Sequence, residues 1–140
     1  MKFAIVRAKF NEEITAALLA GAHRAFQEAG IPSSDLTVVE VPGSWEIPFA
    51  ARALATTKKY AAIVTAGAVM KGETSHDSWI NHGIFPEMQR IAAETGVPVT
   101  LGIITCDTDE QAVRRSGNNN DNRGYAAARA ALEMTQKFSQ

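Results

Sequence analysis

One stretch near the middle of the chain, Ala66-Gly67-Ala68-Val69-Met70-Lys71-Gly72-Glu73-Thr74-Ser75-His76, passes from small apolar residues into glycine, hydroxyls and an imidazole. It follows the apolar run from Tyr60 to Val64 and reads as a buried strand opening into a polar loop. Gly72-Glu73-Thr74-Ser75 holds the elements of an anion nest: a permissive glycine, consecutive N–H groups and two hydroxyls. The Glu73 carboxylate opposes an anion there unless its side chain turns away. The loop is not a Walker A motif, which needs Gly-Lys-Ser/Thr after a glycine-rich lead, and it is not a dinucleotide fingerprint. His76 is the group best suited to proton transfer, because an imidazole of reference pKa about 6.5 takes and returns a proton near neutrality. A lone loop histidine also reads as a surface residue or a cap, and Asp77 beside it either orients the ring or faces water. His82 follows in a predicted helix, and neither its spacing nor its neighbours make a zinc set.

Two further segments set an aromatic ring beside a polar group, as a flat heterocycle with polar edges requires: Phe10-Asn11 and Ser44-Trp45-Glu46. Phe10 reads either as a lid on the core or as a stacking platform for a planar ring. Trp45 can staple a helix and Glu46 can favour its N-terminus; alternatively that carboxylate accepts hydrogen bonds from sugar-like hydroxyls. Arg114 and Arg115 close a short predicted helix, where the negative end of its dipole accounts for both; a fork turned to a phosphate would supply bidentate bonds. Asn118-Asn119-Asn120-Asp121-Asn122 reads as solvated turn. Cys106, after an apolar run, reads as an inert buried thiol.

These groups need a scaffold, and 140 residues suit one domain with a core of its own. Hydrophobic residues at 46% and charged residues at 21% exclude disorder and fibrous repeats. A net charge of -1 leaves no broad basic face for nucleic acid. Met1 to Val6 is too short for a signal-peptide core, and no apolar run of about 20 residues marks a membrane span. The single cysteine excludes an internal disulfide and favours a reducing compartment, so a cytoplasmic location is expected.

The patterning alternates. Phe3 to Ala8 is a β-rich run, and Ile14, Leu18, Ala22, Phe26 and Ala29 then recur at helical spacing, with Asn11 as cap and Gly30-Ile31-Pro32 as stop. Leu36 to Val41 is a strand, and Trp45 to Thr57 a helix that Ser44 can cap and whose first turn tolerates Pro48. Tyr60 to Val69 is the third strand. Ser78 to Glu94 reads helical, with a bend or break expected near Gly83 and Pro86. Val99 to Thr105 is the last strand, after which Asp107 and Glu110 form a capping-box pattern; Arg123 to Phe138 is the last helix. Four strands alternating with helices imply a parallel sheet covered on both faces, and the candidate segments then all lie outside the carboxyl ends of strands.

In their order and placement these segments resemble the 6,7-dimethyl-8-ribityllumazine synthase family. The likeness runs over nearly the whole chain: Phe10-Asn11, Val41-Pro42-Gly43-Ser44-Trp45-Glu46-Ile47-Pro48, Gly67 to His76, Thr95 to Val99, Asp107 to Ala112, Arg115-Ser116-Gly117, Asn122-Arg123-Gly124 and Ala131 to Met134. It implies a three-layer α/β/α sandwich of the flavodoxin-like kind with a four-stranded parallel sheet. It also implies condensation of 5-amino-6-(ribitylamino)uracil with 3,4-dihydroxy-2-butanone 4-phosphate, a step of riboflavin synthesis. By that resemblance Phe10 stacks on the pyrimidine, and Ala68, Val69 and Met70 meet its polar edge. Ser44, Trp45 and Glu46, with Asn11, hold the ring and ribityl chain. Gly72, Glu73 and Thr74, with Arg115 of an adjoining subunit, hold the phosphate, and His76 carries protons.

The reaction moves protons and no net electrons, so no cofactor or metal is expected. The resemblance implies a homopentamer, with a decamer or icosahedral shell as further packings. The chain departs from the family at three positions: Leu101 stands where a neighbouring subunit usually offers an aromatic wall to the ring, Asn119 where lysine is frequent, and Asp77 where an aromatic usually follows the histidine. Two alternatives remain: a homologue that binds a pyrimidine, lumazine or flavin without turnover, and a generic flavodoxin-like regulatory domain.

Overall fold

The computed structural model describes residues 1–72 and 74–138. Strands β1 (Phe3–Ala8), β2 (Leu36–Val41) and β3 (Ala62–Met70) alternate with helices α1 (Glu12–Glu28) and α2 (Ile47–Thr56). Then follow α3 (His76–Thr95), the short strands β4 (Val99–Thr100) and β5 (Ile103–Cys106), α4 (Asp109–Ser116) and α5 (Arg123–Phe138). All pairings are parallel, in the order β2-β1-β3-β4, with β5 continuing along β3 beyond β4. The chain leaves β1 to one side for β2 and returns past it to β3. The strand order therefore reverses between β1 and β3, the place where such sheets leave a crevice.

The alternation of strand side chains explains the layers. Phe3, Ile5 and Val64 pack against Phe26 of α1 and Ala127, Ala128 and Ala131 of α5. Ala4, Val6 and Ile63 face the other way, against Ile47 and Ala51 of α2 and Ile84, Met88 and Ile91 of α3. Every residue of β1 is buried, as a central strand covered on both faces requires. Each large apolar side chain buried in this way contributes about 1.5–3 kcal/mol. The result is the expected three-layer α/β/α sandwich.

Several local expectations are corrected. The last strand is not continuous: it breaks at Leu101-Gly102, so four strand positions are filled by five segments. The cause lies in β3, where the fully buried Thr65 hydroxyl donates to the Thr100 carbonyl at 2.8 Å and accepts from the Gly102 N–H at 3.1 Å. A Cβ on Gly102 would lie 2.1 Å from the Thr65 carbonyl oxygen, so only glycine fits there. α3 runs unbroken through Pro86. Its buried face of Ile84, Met88 and Ile91 anchors it to the sheet, while Pro86 and His82, whose carbonyl Pro86 leaves without a helical donor, are exposed.

Capping also differs. Asn11 makes no side-chain cap bond and instead adopts a left-handed conformation, φ 63°. The box at α4 is shifted by one residue from the one expected: Thr108 Oγ1 accepts from the Gln111 N–H at 3.2 Å, and Gln111 Oε1 from the Asp107 N–H at 2.8 Å. Asn122 is not solvated turn but a buried residue, 2% exposed, whose amide ties α1, α4 and α5 together.

Candidate active site

The carboxyl end of β1 is stitched to both neighbouring strands. Beyond the β1–β2 ladder, the Lys9 N–H donates to the Val41 carbonyl at 2.8 Å and the Phe10 N–H to the Pro42 carbonyl at 3.0 Å. On the other side Asn11 Nδ2 donates to the Ala68 carbonyl of β3 at 3.1 Å, across the switch point. Phe10 is thereby carried outward and is 71% exposed, so it is not a lid on the core. A large aromatic face at the mouth of the crevice is free to stack.

The segment after β2 forms a short 3-10 turn, Ser44–Glu46, ahead of α2. Ser44 does not cap that helix. It is buried, its hydroxyl has no hydrogen-bond partner among the described residues, and it sits against Gly67 of β3, where a Cβ would come within 2.6 Å of Ser44 Oγ. A buried hydroxyl left unpaired is costly in a finished core and suits the wall of a polar-ligand site. Glu46 folds back towards β1: its Oε1 and the Phe10 Cβ lie 3.4 and 3.8 Å from where a Gly43 Cβ would stand.

Trp45 is 59% exposed on one side and rests the other on Gly83 of α3, where a Cβ would meet Trp45 Cζ3 at 2.4 Å. Gly83 thus belongs to this wall, although its sequence signal was only that of a residue weakening a helix. Replacing Gly83 by alanine will push the indole out of its seat. In a Trp79→Phe background, where Trp45 is the sole indole, the emission spectrum will shift and acrylamide quenching will rise. An unchanged spectrum would show that the ring is seated by other contacts.

At the end of β3, Ala68 and Val69 are buried, and Met70 is partly so. The Lys71 N–H extends the pairing to the Cys106 carbonyl at 2.9 Å. Gly72 follows on an exposed loop with open space around it. Glu73 lies outside the described residues. Thr74 is exposed, and its Oγ1 accepts the His76 N–H at 3.3 Å, which starts α3 at His76 itself. The imidazole is therefore exposed at a helix N-terminus that opens onto the rim. Among the described residues no hydrogen bond joins Asp77 to His76.

The remaining candidates stand at the other edge. Arg115 Nη1 donates to the Thr105 carbonyl at 3.2 Å and lies 3.8 Å from Cys106 Sγ, so the buried thiol backs the guanidinium. Leu101, at the strand break, is 48% exposed. One chain thus gathers Phe10, Asn11, Ser44, Trp45, Glu46 and Ala68 to Met70 around β1 and β3, and carries Arg115 and Leu101 on the β4–β5 side. The grooves of about 590 and 720 Å³ lie between helices or at the opposite end of the sheet, away from these residues. The rim is an open shelf, and its chemistry rather than its depth makes it the candidate site. The shifted titrations are also remote: the Glu87 hydrogen bond holds Arg90 above its ordinary value, and the Arg52 hydrogen bond holds Glu94 below its own.

A doubly wound parallel sheet whose switch point carries aromatic faces, an unpaired hydroxyl and a helix N-terminus defines an α/β ligand-binding protein of the flavodoxin-like kind. Residues 1–139 match the family model for 6,7-dimethyl-8-ribityllumazine synthase, and the chain belongs to that family. Its chemistry is accordingly of the lumazine-synthase type, within riboflavin biosynthesis.

Proposed function

We propose that this protein condenses 5-amino-6-(ribitylamino)uracil with 3,4-dihydroxy-2-butanone 4-phosphate to give 6,7-dimethyl-8-ribityllumazine, phosphate and water. The observation that carries this reading is the bond from Asn11 to the Ala68 carbonyl, which joins the Phe10 and Trp45 wall to the strand leading into the Gly72 to His76 loop. In this reading the pyrimidine stacks on Phe10, with its polar edge along Ala68 to Met70 and its ribityl chain towards Ser44, Trp45 and Glu46. The phosphate sits on the Gly72 to Thr74 backbone, with Arg115 reaching it from a neighbouring copy.

The pyrimidine amine adds to the ketone and water leaves as the imine forms. Loss of a carbon-bound proton expels phosphate, and the ribityl-bearing nitrogen closes the second ring with loss of a second water. Most of the acceleration comes from holding two substrates together and from stabilising the departing phosphate. No electrons enter or leave, so the reaction itself calls for no redox cofactor. His76 moves the protons.

A homopentamer working in the cytoplasm completes the reading, with a decamer or closed shell as further packings. Phe49, Trp79 and Val113 are 83%, 71% and 67% exposed on one chain, apolar surface that fits burial between copies.

Incubating the isolated protein with both substrates should produce the ribityllumazine chromophore and inorganic phosphate together. Tight pyrimidine or flavin binding without phosphate release would instead make it a non-catalytic homologue. His76→Ala should lower kcat by about 30-fold with little change in either KM. That is below the usual range of about 10²–10⁴ for a general acid–base group, because water reaches the exposed rim and can carry protons. Unchanged single-turnover kinetics would remove His76 from that role.

A further inference from the structure

Arg7 is a charged residue in the central strand with only 7% exposure, in a chain region otherwise filled by Phe3, Ile5 and Val6. Burying a guanidinium is unfavourable unless its donors are met, and here they are met by three residues on two elements, β2 and α1. Nη1 donates to the Glu40 carboxylate of β2 at 2.6 Å, Nε to Thr15 Oγ1 at 3.2 Å, and Nη2 to the Glu12 carbonyl at 3.0 Å, with the Glu12 carboxylate 3.9 Å away. The register of β1 on β2 sets Arg7 directly beside Glu40, so the ion pair is built into the sheet. One planar group therefore fastens the end of β1 to β2 and to the first turn of α1.

Between those fastenings runs the loop Lys9 to Asn11. It turns Phe10 out of the core and passes through Asn11 at φ 63°, a left-handed conformation that asparagine tolerates better than most side chains and that few others would keep. Its own ties are the Lys9 and Phe10 amides to β2, the Asn11 amide to Ala68, and the Asn11 carbonyl accepting from Thr15 N–H at 3.0 Å. Thr15 thus serves twice, once through its backbone to the loop and once through its hydroxyl to Arg7.

We propose that Arg7 is a positioning residue for the planar substrate: its guanidinium fixes α1 against β1 and so holds Phe10 and Asn11 in the geometry that receives the heterocycle. The proposal rests on the reading of the rim given above. Arg7 does not itself reach the ligand, since its side chain is 8% exposed and all three of its nitrogens are engaged within the fold. Loss of the clamp should therefore weaken the stacking substrate and spare the phosphoester, which contacts another loop. Lysine cannot substitute, because a point charge on a flexible stem does not reproduce three bonds in a fixed plane.

The test compares Arg7→Met, Arg7→Lys and Glu40→Gln in the assembled protein. Hydrogen exchange of the Lys9 to Asn11 amides is followed without ligand, the thermal midpoint is recorded, and kinetics are measured with each substrate varied. Arg7→Met should speed exchange at Lys9 and Phe10 and raise KM for the aminopyrimidine about tenfold, with KM for the phosphoester within about twofold, as expected of a small misplacement of a binding group. Arg7→Lys should recover little of this. Should Arg7→Met fail to fold, Glu40→Gln carries the same comparison, because it keeps the guanidinium and its bonds to α1 while removing the ion pair; a smaller shift in the same direction is expected. Unchanged loop exchange, or equal rises in both KM values, would overturn the proposal. If the parent protein turned over neither substrate, the proposed activity would fall, and loop exchange alone would then decide whether Arg7 holds Phe10 and Asn11.

Discussion

Arg115→Ala should lower kcat/KM for the four-carbon phosphoester by about 10²–10³, the largest loss expected from any single side chain at the site. That size is the lower part of what two charge-assisted hydrogen bonds of about 1.5–3 kcal/mol each supply, as expected where water reaches the open rim. The guanidinium has donors to spare for them. Only Nη1 is engaged, by the Thr105 carbonyl and Cys106 Sγ; among the described residues Nε and Nη2 have no partner. The guanidinium is thus braced on the end of β5 through one nitrogen. Arg115→Lys should recover less than a tenth of the lost activity, since lysine offers charge without the fork. Steady-state kinetics with the phosphoester varied are the check. A loss falling equally on the pyrimidine, or an unchanged KM for the phosphoester, would place the phosphate elsewhere.

Asn122→Ala should cost about 2–4 kcal/mol of stability, although the residue is placed in no substrate contact. Its Nδ2 shares two hydrogens among the carbonyls of Ala17, Ser116 and Gly117 at 3.1, 3.0 and 2.9 Å, and its Oδ1 caps α5 by accepting from the Tyr125 N–H at 3.0 Å. Alanine removes a cap worth about 1 kcal/mol and leaves the Ser116 carbonyl, whose bond is buried, unsatisfied at about 1–3 kcal/mol, while the Ala17 and Gly117 carbonyls, in part-buried bonds, add little. Gly21 belongs to the same arrangement, for a Cβ there would stand 2.1 Å from Asn122 Oδ1. At fixed protein concentration the thermal midpoint should fall by about 10 °C. Asn122→Ser, which keeps a capping oxygen but cannot reach Ala17, should fall between. A drop of only a degree or two in Asn122→Ala would mean that water satisfies those carbonyls.

The elements were legible where one short-range pattern dominates. Phe3–Ala8, Leu36–Val41 and Arg123–Phe138 have the expected bounds because apolar runs, helical spacing and polar turns agree there. What escaped depends on residues far apart in the chain. The break at Leu101-Gly102 is caused by a hydroxyl on β3, the helical glycine at position 83 is explained by the ring of Trp45, and the depth of Ser44 by the bareness of Gly67. Arg7 and Asn122 were hidden for a related reason: a charged or amide side chain reads as surface until its distant partners are known.

The rim itself followed from one rule, that the ends of parallel strands share an edge, which placed Phe10, Trp45, Met70 and Thr105 together before any coordinates. Orientation did not follow from it. Whether Phe10 faces core or solvent is decided by two backbone bonds to Val41 and Pro42, and no local pattern encodes them.

The interruption at Leu101-Gly102 also bears on how the outer border of the sheet meets other chains. β4 and β5 form an outer border of the sheet, where an unbroken run of free amides and carbonyls would invite a stray strand from another chain to zip on. Two short pieces, separated where the Thr65 hydroxyl bonds the end of β4 and the Gly102 N–H in the break, make a poorer template than one long strand. A single threonine thereby divides the pairing edge that this border presents into two short lengths.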